Sequence, residues 1–360
     1  MTASGAQLRV KIDDLMAFCL AALRHVGVNE ADARLTAEAL VTTDTLGTFT
    51  HGTRQLRGLV KNVRDGRLDP EAAETIVNEG PAWAMLDANY AMPPAVACRA
   101  MRRAMDKARA CGVGYVGVQR TSHFGAAGYY ARLAAAEDML GLAVCNVDPV
   151  MTVTGAAAKV MGTNPIAWAA PAGEEPMVFL DIATSRVAAT KVFAAKALGK
   201  SVPDSWLIDA EGRPTTDPSR FPQEGALLPL ADYKGYGLAL LVEVLGGALP
   251  GAALLSGVVS WAIESSERVN QGHAFLAFDI GAMTPIDEFK ARMDRIVREL
   301  HAAPKAAGAD RIYVPGEMEW ERRERALAEG IPLPPDVAAA LRGLGEDTGM
   351  RPEKFGLSLG

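Results

Sequence analysis

Residues 111–125 read CGVGYVGVQRTSHFG, and how this stretch is read decides the fold. Gly112, Gly114 and Gly117 spell G-x-G-x-x-G, the spacing of a dinucleotide-binding turn. In the doubly wound nucleotide fold that turn follows a strand and opens a helix, so that a pyrophosphate meets the helix N-terminus. Here the order is reversed. A long helical pattern opens at Pro93–Pro94 and stops near 110–111, and the glycines lead into β-branched and aromatic residues. Gly112 fits the position just past a helix, where a positive φ is needed. Gly114 and Gly117 then sit beside a strand and allow close packing. No acidic residue follows a second strand at the required distance, and no Walker A sequence occurs. The glycines are a helix stop and a strand feeder.

Working outward, the pattern from 12 to 46 is helical with a break at Gly27. Leu15, Phe18, Cys19, Ala22 and Leu23 recur at three and four, and Asn29–Glu30 offers a cap for the second helix. A third helix is expected over 55–64. Strands are expected at 75–77, 83–87, 114–119 (GYVGVQ), 142–147 (LAVCNV), 167–170, 177–181 and 273–280 (HAFLAFDI). Helices are expected at 126–137 and 186–197, and a buried one at 237–249. Residues 202–230 read as a loop rich in Pro and Asp. Helical patterning returns from Pro285, interrupted by VPGE at 314–317. The fold class is therefore α/β, with a mixed sheet at 76–284 and a helical part at 1–75, on which 285–360 is expected to pack back. No repeat or low-complexity linker separates them.

The chain has 360 residues and is 49% hydrophobic, enough to build a sizeable core without disulfide or metal staples. A formal net charge of −6 gives no electrostatic reason to expect nucleic-acid binding. Arg102, Arg103, Lys107 and Arg109 cluster, but at the spacing of a solvated helix face. The four cysteines form no C-x-x-C pair and read as buried free thiols of a reducing compartment. No signal peptide or membrane span is apparent, so a cytoplasmic protein is expected.

Five histidines occur, and two stand in polar, Gly-containing surroundings: His51 in TFTHGTRQLRG and His123 in RTSHFGAAGYY. Imidazole is the side chain best matched to proton transfer near neutral pH. Taken singly, a structural role for either is the commoner use. His25, on a helix face, and His301, near a helix end, read as ordinary. No H-E-x-x-H, H-x-H or Cys/His cluster suggests a metal, and no G-x-S-x-G suggests a serine hydrolase. His51, His123 and Asp181 could meet in space, though spacing alone does not say so. Thr184 and Ser185 follow the strand ending at Asp181 and precede a helix. They suit a phosphate, and equally an ordinary N-cap. Lys234 and Gly235 open the Ala-Leu-rich helix in an anion-friendly position.

Six blocks occur together and in order: THG near residue 50, SHFGAAGYY at 122–130, GTNPIAWAAP at 162–171, LDIATS at 180–185, KGYGLALLVEVLGGALPGA at 234–252 and VPGE at 314–317. Over nearly the whole chain they resemble the malate/L-lactate dehydrogenase family of the non-Rossmann type. That group also holds ureidoglycolate and sulfolactate dehydrogenases, diketogulonate reductase and piperideine-2-carboxylate reductase. The resemblance implies an NAD(P)-binding domain distinct from Rossmann, NAD or NADP as cofactor, a small anionic substrate and a homodimer, with no nucleic acid or membrane partner. It implies His51 as acid/base oriented by Thr50, with His123 beside the nicotinamide and, in some members, in the proton-transfer role. It places His123, Phe124, Gly125, Ala126 and Ala127, then Asp181, Ile182, Ala183, Thr184 and Ser185, along the cofactor. Lys234, Gly235, Gly316 and Glu317 complete that binding, and Thr163 faces the substrate. Lys191 matches a position that is lysine in most members and aspartate in the imino-acid reductase.

Two departures stand out. Members often read S-H-G-x-x-R-L, with the arginine on the substrate carboxylate. Here HGTRQL puts Gln55 there and Arg54 one residue earlier. A neutral amide cannot replace a bidentate guanidinium, so either Arg54 takes over or the anionic group is held differently; Arg54 and Gln55 are expected beside the substrate with Thr163. Val147 also stands where a serine is usual. The expected reaction is hydride transfer between a nicotinamide and a small 2-hydroxy/2-oxo acid. Its rivals are a cyclic imino-acid reductase on the same scaffold, a metal-dependent lyase or hydrolase using His51 and His123, and a non-catalytic ligand-binding relative.

Overall fold

The computed structural model describes residues 8–359; residues 1–7 of the expected helical segment and residue 360 lie outside them. The helix Ile12–His25 starts with Asp13 and Asp14 and ends with Arg24 and His25, charges that suit its dipole. It buries Leu15, Phe18, Cys19, Ala22 and Leu23. Gly27, at φ +88°, turns the chain, and Asn29 accepts a 3.0 Å bond from the Asp32 N–H to start Glu30–Thr45. Two 3-10 turns, Phe49–His51 and Thr53–Gln55, then lead into the helix Leu56–Arg64.

A seven-stranded sheet forms the centre. Its order is Thr75–Gly80, Trp83–Asp87, Val113–Thr121, Gln271–Asp279, Met139–Cys145, Ile166–Ala170, Val178–Ile182. Only Trp83–Asp87 and Val113–Thr121 run parallel; every other pair is antiparallel. A doubly wound fold needs parallel neighbours throughout its nucleotide half, and this sheet lacks them. Gly112 has φ +82° and ends the helix Pro93–Cys111, as its context indicated. A Cβ at Gly114 would overlap the Ala104 carbonyl of that helix, so the glycine lets helix and strand touch.

The helices Pro93–Cys111 and Ala127–Ala135 cover one face of the sheet. Between them lie Met101, Met105, Val116, Val118, Tyr130 and Phe275, all buried. A second core joins the two ends of the chain: Leu15, Phe18, Leu40 and Leu59 meet Leu341, Leu344 and Leu357. Arg9–Val10 pairs antiparallel with Ile331–Pro332, and Arg57 bonds Asp347 at 2.7 Å.

Four expectations need correction. Helix Ile286–Ala302 does not sit on the N-terminal helices. Its Asp294 accepts the N–H groups of Gly173, Glu174 and Glu175, and its Val297 packs with Val178 at the sheet's edge. The loop expected over 202–230 folds into a small three-stranded sheet over Met151, Met161, Phe221 and Leu227. The buried helix expected over 237–249 is Tyr233–Val242 followed by a π-helical turn, Glu243–Ala248. It buries only one side, leaving Leu238, Leu240, Leu241, Val244 and Leu249 exposed. Cys111 is also exposed, while Cys19, Cys98 and Cys145 are buried thiols.

Candidate active site

The THG and SHFG segments meet. The imidazole centroids of His51 and His123 are 5.4 Å apart with planes 28° from parallel. Gly125 of SHFG lies against the His51 backbone: its φ is +86°, and a Cβ there would come within 3.2 Å of the His51 carbonyl. Only glycine satisfies both the backbone angle and the approach.

The turn under His51 is held from below. Thr50 Oγ1 lies 2.8 Å from His51 Nδ1, which leaves Nε2 free to face a ligand. Buried Asp44 accepts both the N–H and the hydroxyl of Thr53 through Oδ2. Burial pushes the Asp44 carboxyl up to about 7, against the two Thr53 bonds. Burial, then the Arg54 charge, pulls His51 down to about 4. His51 is therefore neutral at physiological pH.

His123 is fixed differently. Its Nδ1 accepts the Gly125 N–H at 3.2 Å, so its proton sits on Nε2. Burial, with His51 and His273 nearby, lowers its pKa well below the ordinary value. The Trp261 ring packs on it with centroids 4.5 Å apart. Phe124 points into the core, stacked on His273 at 4.3 Å and on Tyr130 at 4.8 Å, and Tyr130 donates to the Phe124 carbonyl. His273 Nε2 lies 2.9 Å from the Ser122 carbonyl and must donate to it.

The other expected residues fall into four groups. The Thr163 carbonyl accepts both the N–H and the hydroxyl of Thr184 at 2.9 Å, and the Thr184 carbonyl accepts Leu230 N. A Cβ at Gly235 would overlap the Leu230 carbonyl, so the GTNP, LDIATS and KGYG loops form one unit. Ser185 turns its hydroxyl to the Val187 carbonyl, and Ile182 and Ala183 carry the chain between strand and loop. Asp181 accepts the Gly128 N–H at 2.7 Å at the start of helix Ala127–Ala135, next to Ala126 and Ala127. Burial raises its carboxyl to about 6. Lys191 and Lys234 are exposed. Gly316, at φ +95°, packs on Phe179, and Glu317 lies 2.8 Å from His301 Nε2 and accepts Val314 N at 2.8 Å. His301 is thus tied to the VPGE turn rather than being an ordinary surface group.

Gln55 has a different job from the one its alignment suggested: its amide donates to the Thr50 carbonyl, and it is only 9% exposed. Arg54 is paired with Asp336 at 3.1 Å. Gln55 is engaged within the turn, while Arg54 meets Asp336 through Nε, in a surface ion pair beside the His51 site.

The sequence did not single out Trp261, His273, Asp44 or Glu243. Asp44 had a signal in the polar run TTDT at 42–45 of an otherwise apolar stripe. Glu243 had one as a lone acid in LLVEVLGG, since a buried charge needs partners. It is buried between Asn164, at 2.9 Å, and Asn146, at 3.3 Å. A cavity of about 360 Å³ lies behind the His51 turn, lined by Arg9, Asp44, Gly47, Phe49 and Arg322, and neither His51 nor His123 lines it. Among the described residues no group of three His, Cys, Asp or Glu is placed to hold a metal, and no helix is long and apolar enough to cross a membrane.

The family model described as malate/L-lactate dehydrogenase matches residues 10–342. The chain belongs to this family. It is 34% identical to a malate dehydrogenase of Pyrococcus abyssi over 96% of both chains. It is 32% identical to the ureidoglycolate dehydrogenase (NAD(+)) of Escherichia coli O157:H7, over 88% of this chain and 89% of the other. The solved sulfolactate dehydrogenase of Methanocaldococcus jannaschii superposes with a TM-score of 0.89 at 32% identity, covering 96% of this chain and 99% of that one.

Proposed function

We propose that this protein is an NAD(P)-linked dehydrogenase that interconverts a small 2-hydroxy acid and its 2-oxo acid, with His51 as acid/base. The observation that carries the reading is the pairing of His51 and His123 in a family of dehydrogenases.

The residues present suit a nicotinamide. Ser122 Oγ and both ends of the Gln271 amide are buried beside SHFG and have no protein partner among the described residues. Donors and acceptors of that kind complement a carboxamide, and buried polar groups require partners. His123 and Gly125–Ala127 would hold the ring end, and the Thr163–Thr184–Gly235 unit and Gly316–Glu317 the rest. When bound, the nicotinamide supplies or accepts the hydride.

Neutral His51 takes the hydroxyl proton at Nε2 during oxidation and returns it during reduction. Thr50 holds the ring through Nδ1, and Gln55 holds Thr50 through its carbonyl. His123, with its proton on Nε2, donates a hydrogen bond that polarises the substrate oxygen. Arg54, Thr163 and Lys191 are the candidates to fix the substrate, because the Gln55 amide is engaged with the Thr50 carbonyl.

We also propose a homodimer. The exposed row Leu238, Leu241, Val244, Leu249 and Leu254 is an apolar face that a second copy of the chain would cover. A cytoplasmic setting fits four free thiols. The test is a spectrophotometric screen of NADH and NADPH, each against 2-oxo acids and cyclic imines. Turnover with 2-oxo acids supports the reading; turnover with cyclic imines alone replaces it with the reductase.

A further inference from the structure

The loop 258–270 leaves and rejoins the body at two buried residues, Val258 and Val269. Its base is closed by Asn270, which accepts Val259 N at 2.7 Å and donates to the Gly257 carbonyl at 2.9 Å. Above that base several of its side chains face solvent, Ile263 among them. Arg268 lies over the Tyr90 ring, 4.7 Å from its centroid, and Glu264 comes within 3.5 Å of Lys61.

The hold comes from a distant part of the chain. Arg67 is 3% exposed, and its guanidinium donates to four loop carbonyls: Ser260, Trp261 at 3.4 Å, Ile263 at 3.0 Å and Glu267 at 3.0 Å. Asn62 adds a 3.1 Å bond to the Trp261 carbonyl. Gly58, one turn earlier on the same helix, gives the indole its seat; a Cβ there would stand 2.9 Å from Trp261 Cζ3. A buried guanidinium is costly unless every donor is satisfied, and here the donors converge on one loop conformation. What that conformation presents inward is a single ring. Trp261 lies 4.5 Å from the His123 centroid, with planes 34° apart.

We infer that Trp261 is a positioning residue for His123: the clamp of Arg67, Asn62 and Gly58 presses the indole on the imidazole, holds it in one orientation and keeps water from it. This rests on the functional reading above for its consequence in catalysis, and on the ring contact alone for its effect on His123. The helical N-terminal segment thereby contributes to the site twice, through His51 and through the clamp. The ionisable groups that bear on His123 are His51 and His273, both imidazoles.

The test compares Trp261→Ala and Trp261→Phe with the wild type. With only five histidines in the chain, 15N-histidine NMR resolves His123 from the others. In W261A the His123 resonance moves and titrates at higher pH, because water reaches the ring. Turnover falls about 10- to 100-fold, the scale of a misplaced reacting group. NADH affinity stays near wild type, and the acid limb of the kcat/KM profile moves up in pH. W261F, which keeps a ring, recovers most of the rate and the wild-type profile. A W261A protein with an unshifted His123 resonance overturns the inference. If no substrate turns over with either nucleotide, the functional reading fails, and the His123 resonance alone still decides the part of Trp261.

Discussion

Gly52 and Asp44 touch: a Cβ at Gly52 would overlap Asp44 Oδ1. The residue after the candidate acid/base is glycine because the carboxylate that fixes the turn occupies the space a side chain would need. Gly52→Ala must push Asp44 or the His51 turn aside. The expected cost is about 1–3 kcal/mol, as for other overpacked sites, with a matching fall in Tm and loss of turnover. A thermal melt and a rate assay check this; wild-type values for both would mean the turn adapts freely.

Asp44 also gives a pH signature. Its folded pKa of about 7 is above its ordinary 3.8. Between those values the folded chain keeps a proton that the unfolded chain has lost, so this group's contribution to stability falls as pH rises through the window. His51, His123 and His273, all lowered by burial, act in the opposite sense as pH falls below their ordinary value of 6.5, and they are common to wild type and variant. Asp44→Asn removes only the first contribution. Its urea midpoint relative to wild type should therefore rise between pH 4 and pH 8. A gap that stays constant contradicts the raised carboxyl.

Gln55 supports the turn instead of reaching for substrate. Gln55→Ala should lower kcat about tenfold by loosening Thr50 and His51 while leaving KM for the acid nearly unchanged. Steady-state kinetics separate the two effects. A large rise in KM at constant kcat would return Gln55 to the substrate.

The apolar row on Tyr233–Val242 and its π-helical extension tests the dimer. Leu241 is 49% exposed in the single chain, so an acid there costs a monomer little. Leu241→Asp should halve the mass seen by light scattering at micromolar concentration. A wild-type protein that is already monomeric removes the proposal.

The sheet and its helices were legible because local rules settle them. Gly112 stops a helix, Asn29 caps one, and the apolar run HAFLAFDI marks the strand Gln271–Asp279. Strand order was not legible, since Gln271–Asp279 pairs with Val113–Thr121 from far along the chain. At the site, His51 and His123 stood out in the motif blocks, while the approach of Gly125 to the His51 backbone did not. Nor did their supports. Asp44, Arg67 and Trp261 act through contacts between segments that no spacing connects. Gln55 misled for the same reason: its sequence position matched an arginine, while its amide is turned to the Thr50 carbonyl. The helix over 237–249 looked buried by composition, because composition does not distinguish a core from an exposed apolar face.

The central claim is that this chain reduces a 2-oxo acid with a nicotinamide nucleotide and that His51 moves the proton. The measurement is NAD(P)H oxidation followed at 340 nm with a panel of 2-oxo acids, for wild type and His51→Ala, beside direct titration of nucleotide binding. The account predicts substrate-dependent oxidation by wild type, a loss of about 10²- to 10⁴-fold in kcat for the variant, and nucleotide affinity close to wild type. Turnover by His51→Ala equal to wild type would contradict it.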